Sequence, residues 1–123
     1  MVKLVYCVHR SPGMSPEEFR GYWYDNHGPL VKGFAEALHA HRYVQSHLIN
    51  SPLNEVARQP RGTLEPFDGI TEVWFADHDQ LAAALQTPEA QDAHRTLIED
   101  EARFCDLSRS TLFLTEEHVI FDH

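Results

Sequence analysis

The chain has 123 residues and a net charge of −9, with 19 Asp and Glu against 10 Lys and Arg. That length suits a single domain over residues 1–123 with a sizeable core, and the acidity argues against nucleic acid, whose phosphates need a basic surface. No apolar run is long enough to span a bilayer and the first residues lack a signal-peptide pattern, so no membrane partner and a cytoplasmic location are expected.

Val2 to His9 reads as a strand, rich in apolar and β-branched residues on both faces and ended by Ser11-Pro12-Gly13. Two apolar faces call for two covers: helices on one side and another subunit on the other. Ser15-Pro16-Glu17-Glu18 then starts a helix, with Ser15 as cap, Pro16 at the first position and Glu18 closing a capping box. This helix is expected to run to about Asn26 and to break or kink over His27 to Pro29. Leu30, Val31, Phe34, Ala35 and Leu38 resume the helical pattern behind it.

His41 to Ile49 alternates as a strand, with His41, Tyr43, Gln45 and His47 on one face. Asn50 to Phe67 carries Pro52, Pro60, Gly62 and Pro66 without periodicity and reads as a long loop, of the kind that serves as a lid or binding loop. Gly69 to Ala76 is the clearest strand, and it sets Ile70, Glu72 and Trp74 opposite Thr71, Val73 and Phe75. A short helix over Asp77 to Gln86 follows. A longer one, capped by Thr87, runs to about Phe104 with Ala90, His94, Leu97, Ile98 and Ala102 or Phe104 inward. Ser110 to Phe121 supplies the last strand and a tail.

The order β, long α, β, β, α, β predicts an α+β fold of the ferredoxin-like, split βαβ kind: a four-stranded antiparallel sheet with helices on one face. The open face is expected to pack against a second copy, making a homodimeric barrel. Charge is uneven along the chain, with seven Lys/Arg and five Asp/Glu in residues 1–61 but three and fourteen in residues 62–123. A solvated acidic face accounts for this, and attraction between the halves or between copies is the other reading. Cys7 and Cys105 lack CxxC spacing and read as two reduced thiols.

KLVYCVHRSPGMSPEEFRGYW, DNHGPLV, RYVQSHL, FDGITEVWF, LIEDEARFCDLSRS and FLTEEHVI together resemble the EthD family of small dimeric α+β-barrel proteins, over nearly the whole chain. The resemblance implies a ferredoxin-like protomer, a homodimer and a place for His27 in the family's HGP motif. It implies less about chemistry, because the family holds a component of an ether-degradation gene cluster and EthD-like dehydratases. The wider superfamily adds cofactor-free monooxygenases, polyketide cyclases, lactone isomerases and haem enzymes.

His27 is the foremost catalytic candidate, since an imidazole titrates near neutrality and Phe19 and Trp23 precede it at intervals of four on one helix face. The alternative is a histidine that ties a broken helix end. Glu72, partly desolvated between Ile70 and Trp74, is the second candidate, as acid, base or partner of His27; a salt bridge to Arg42 or Arg103 is the plainer role. If His27 and Glu72 lie more than about one water bridge apart and share no pocket, the enzymatic readings weaken sharply. Tyr43 is the third, orienting substrate or histidine. Phe19, Tyr22, Trp23, Gln45, His47, Trp74 and Phe104 are expected to line the ligand pocket, with plain core as the alternative for the aromatics. No metal site is expected, since no acidic or cysteine ligand joins His39, His41 and His47 at ligand spacing.

The sequence thus points to a small-molecule enzyme without bound cofactor, acting by acid–base chemistry on a hydrophobic, aromatic or carbonyl-bearing compound. A cofactor-free monooxygenase or oxidoreductase accessory, and a non-catalytic ligand-binding dimer, are the alternatives.

Overall fold

The computed structural model describes residues 1–123. Strands β1 (Val2–Val8), β2 (Arg42–His47), β3 (Gly69–Phe75) and β4 (Thr111–Glu116) form one antiparallel sheet in the order β2-β3-β1-β4. Helices α1 (Pro16–Tyr22), α2 (Gly28–Leu38) and α5 (Pro88–Phe104) cover one face; α3 (Leu53–Arg58) and α4 (His78–Ala84) are short connecting helices. This is the expected ferredoxin-like α+β architecture. No helix is long and apolar enough to cross a membrane.

Register decides which side chains meet. Leu4, Val73, Tyr43 and Leu114 share one row, and Tyr6, Thr71, Gln45 and Leu112 the next, both under the helices. The opposite face carries Lys3, Trp74 and Arg42 in one row and Val5, Glu72, Val44 and Phe113 in another. That face has no cover within the protomer, and Ile70 and Phe113 on it are 37% and 48% exposed.

Ser15 starts α1 as expected: its side chain accepts from the Glu18 N–H, and Glu18 accepts from the Ser15 N–H. The expected break at His27 to Pro29 is not there. The chain stays helical from Pro16 to Leu38, and Trp23–His27 winds as a single π-helical turn in which the Gly28 N–H reaches the Trp23 carbonyl. A widened turn makes room for the Pro29 ring, and Gly28, lacking a Cβ, keeps helical angles before a proline (φ −54°, ψ −53°). The Trp23 carbonyl accepts a second bond, from Gln45 Nε2 at 2.9 Å, which ties this turn to β2.

Two further expectations need correction. The expected loop over Asn50 to Phe67 contains α3 and a 3₁₀ turn (Gln59–Arg61); Ser51 Oγ accepts from the Leu53 N–H at the start, and Glu55 pairs with Arg58 along the helix. In α5 the buried positions are Ala90, Ala93, Leu97, Asp100 and Phe104, whereas Ala102 faces out and Ile98 is 55% exposed.

Phe19 and Trp23 pack on Val8, Phe104 and Cys105, while Val31 and Leu38 pack on Ala93 and Leu97. One long helix therefore serves two apolar clusters, with His27 between them.

Candidate active site

His27 is buried, and its Nδ1 lies 2.7 Å from Asp100 Oδ2. The other Asp100 oxygen accepts from the Tyr22 hydroxyl at 2.5 Å and from Arg103 Nη1 at 3.0 Å. Burial pushes the Asp100 carboxyl up, but these three hydrogen bonds outweigh it and hold the group below the usual carboxylate range. An ionised Asp100 only accepts, so the proton on His27 sits at Nδ1 and Nε2 keeps its lone pair. Burial also lowers the His27 pKa, with Asp100 pulling the other way, and the ring is neutral near pH 7.

Nε2 faces Glu101, whose Oε2 is 3.9 Å away. Burial raises Glu101 from its ordinary value near 4.5 to about 7, the Tyr6 phenol opposing and the Asp100 charge adding to the rise. Tyr6 is pushed upward in turn, by burial and then by the carboxylate beside it. The result is a base with a fixed tautomer and a carboxyl poised to hold a proton near neutrality, side by side.

Both groups open on a cavity of about 430 Å³ between sheet and helices, and 17 of its 21 lining residues are hydrophobic. A larger and shallower groove of about 970 Å³ runs along the outside of α1, α2 and β2. Val31 and Tyr43 line both, so they mark where groove and cavity adjoin. The deeper cavity holds the titratable pair and is the better candidate for chemistry.

Of the residues anticipated from sequence, Trp23, His27, Tyr43 and Phe104 line this cavity. The Tyr43 hydroxyl accepts from Gln45 Nε2, and Gln45 Oε1 meets His47 Nε2, at 2.9 and 2.8 Å. Gln45 and His47 therefore belong to the outer groove, where His47 stacks on Trp23 at 4.5 Å. Phe19 is core and does not line this cavity, and Tyr22 acts from behind by binding Asp100.

Glu72 and Trp74 are corrections. The period of two puts both on the open face of the sheet, with the sheet itself between them and His27. Glu72 pairs with Lys3 Nζ at 2.7 Å, not with Arg42 or Arg103, and Trp74 lies beneath Arg42 and Lys3 at 4.6 and 5.3 Å. The shared pocket for His27 and Glu72 does not exist. Asp100 and Glu101 stand beside His27 instead. Neither was anticipated, although Asp100 falls at the helical interval that joins Leu97 to Phe104 on the buried side of α5.

A family model for the EthD domain matches residues 11–108. The chain belongs to the EthD family. Among solved structures, an ethyl tert-butyl ether d (EthD) family protein from Bacillus halodurans shares the fold with a TM-score of 0.63 at 21% identity, covering 96% of this chain and 99% of that one. SnoaB, a cofactor-independent oxygenase from Streptomyces nogalater, matches with a TM-score of 0.55 at 15% identity, covering 98% and 97%. A dimeric ferredoxin-like protein of unknown function from Thermobifida fusca matches with a TM-score of 0.57 at 8% identity, covering 93% and 88%.

For this EthD domain the buried carboxyl has a measurable consequence. Since the folded Glu101 pKa lies above its ordinary value, its contribution to stability is fullest below about pH 4.5 and is lost as pH rises through about 7. Glu101→Gln is therefore expected to gain stability over the parent at about pH 8 and little at about pH 4.5. Urea unfolding at the two pH values checks this.

Proposed function

We propose that this EthD-family chain is an acid–base enzyme that moves protons on a hydrophobic, aromatic or carbonyl-bearing small molecule, using its own side chains. The supporting observation is His27, held by Asp100 through Nδ1 and presenting Nε2 beside Glu101 in an apolar cavity. Nε2 takes a proton from a carbon next to a carbonyl, and the protonated Glu101 gives one to the oxygen that gains charge. An enol forms, His27 is left protonated and Glu101 ionised, and return of the two protons resets the pair. Dehydration, cyclisation and isomerisation all start with such a step, and the apolar walls keep water from competing. Tyr43 orients the bound compound where groove and cavity adjoin.

Oxygen chemistry is the second reading, supported by the fold shared with SnoaB, described as a cofactor-independent oxygenase. The same deprotonation would then leave a carbanion that reduces O₂. Incubation with aryl β-dicarbonyl compounds in D₂O separates these cases. Deuterium uptake at the α-carbon without oxygen consumption supports proton transfer alone, and oxygen consumption supports the second reading. Tight binding with neither would make the chain a ligand carrier.

The functional unit we propose is a cytoplasmic homodimer joined through the open sheet face. Val5, Val44, Ile70 and Phe113 offer an apolar surface there, and the Thermobifida fusca protein with this fold is described as dimeric.

A further inference from the structure

Beyond Glu116 the chain leaves the sheet, and it carries Val119, Ile120 and Phe121 at 73%, 88% and 74% exposure. Three consecutive large apolar residues in solvent call for a cover. Glu116, Glu117 and Asp122 flank them, with no Lys or Arg. The groove outside α1, α2 and β2 has the complementary character: Arg20, Lys32 and Arg42 line it, and Asp25 is its one acid.

The positions also agree. β2 and β4 are the two edges of the sheet, and Arg42 and Thr115 stand at the same end of it, level with Trp74 and Lys3. Glu117 accepts from Trp74 Nε1 at 2.7 Å, which directs the departing chain over the open face. If two open faces pack about a two-fold axis along the strands, each β4 edge comes to lie over the other copy's β2 edge, with these ends level. Packed sheets stand about 10 Å apart, and the five residues from Glu117 to Phe121 reach about 17 Å when extended.

We propose that the segment His118–Phe121 of each protomer crosses to its partner and seats the Val119–Ile120–Phe121 run in the partner's basic groove. This rests on the homodimer proposed above. Because Val31 and Tyr43 line both groove and cavity, the arm also roofs the side of the partner's site. Each copy then completes the other's binding space.

Two measurements test the arm. Sedimentation of the parent chain comes first, and a monomer would overturn both the homodimer and the arm. For a dimer, a chain ending at Glu117 is expected to dissociate at a concentration at least about tenfold higher, the loss of at least one buried large apolar side chain. In a Cys7→Ser background, chains with Ile120→Cys are then mixed with chains carrying Lys32→Cys and treated with a short thiol cross-linker. Covalent mixed dimers are the expected result. A parent dimer whose tail deletion leaves dissociation unchanged, or one giving no cross-link between chains, would overturn the arm while leaving the dimer standing.

Discussion

His27→Gln is expected to slow proton exchange on a bound ketone by about 10²- to 10⁴-fold, the usual share of a positioned general base. Glutamine fits the space and can still donate to Asp100, but it has no lone-pair nitrogen to carry a proton. Unfolding free energy should stay within about 1 to 2 kcal/mol of the parent near neutral pH, because Tyr22 and Arg103 continue to satisfy Asp100. Asp100→Asn probes the same dyad without touching the base. An amide neither enforces the Nδ1–H tautomer nor steadies the imidazolium that forms, so a comparable loss of rate is expected. Burial then acts on His27 unopposed, and its pKa should fall further. Nitrogen NMR of the ring reports both changes, and a variant that keeps tautomer, pKa and rate would remove Asp100 from the site. In the parent, Asp100 and His27 both have lowered pKa values, so their contributions are present above the unfolded values and lost as pH falls through the folded ones. Acid should therefore unfold the site.

Gly69→Ala is expected to cost about 2 to 3 kcal/mol, roughly 10 °C in Tm, without touching the dyad. A Cβ at Gly69 would stand 2.4 and 2.6 Å from the Trp23 ring and 2.7 Å from the Ser46 carbonyl oxygen. The indole cannot yield, being 1% exposed, packed on Phe19 and stacked on His47. Gly33→Ala makes a matched control. No atom lies within 4 Å of its Cβ position inside α2, so it should stabilise by about 0.5 to 1 kcal/mol. Thermal melts of both variants decide the matter, and a neutral Gly69→Ala would mean that Trp23 is not the wedge between α1 and the sheet.

Much of the fold was legible because its signals are local. The Ser15-Pro16 start, the alternation of β3 and the spacing of Leu30, Val31 and Leu38 each depend on near neighbours, and each appears in the structure. The misreadings share a cause. Alternation placed Glu72 correctly with Ile70 and Trp74, but only packing reveals which side of a sheet the helices cover. Asp100 and Glu101 were not singled out, since their burial depends on Tyr6, Tyr22 and His27, which lie more than seventy residues away. α3 was missed because prolines and charges concealed a helix of only six residues, held by Glu55 and Arg58.

The π-helical turn at Trp23–His27 acts as a phase correction. Phe19, Trp23, His27 and Val31 recur every four residues, and in an unbroken α-helix that spacing drifts by about 40° per step, or about 120° over the set. A regular helix could not keep the first cluster and the second both facing the core. One wide turn gives back part of the drift, so a single rod meshes with Val8 and Phe104 at one end and with Ala93 and Leu97 at the other. The number of residues in that turn is thus as constrained as their identity. A π turn fits one extra residue into about the same rotation as an α turn, so deleting one of them would restore ordinary winding with Val31 and Leu38 still facing α5, and what would change is which side chain of the turn meets Asp100.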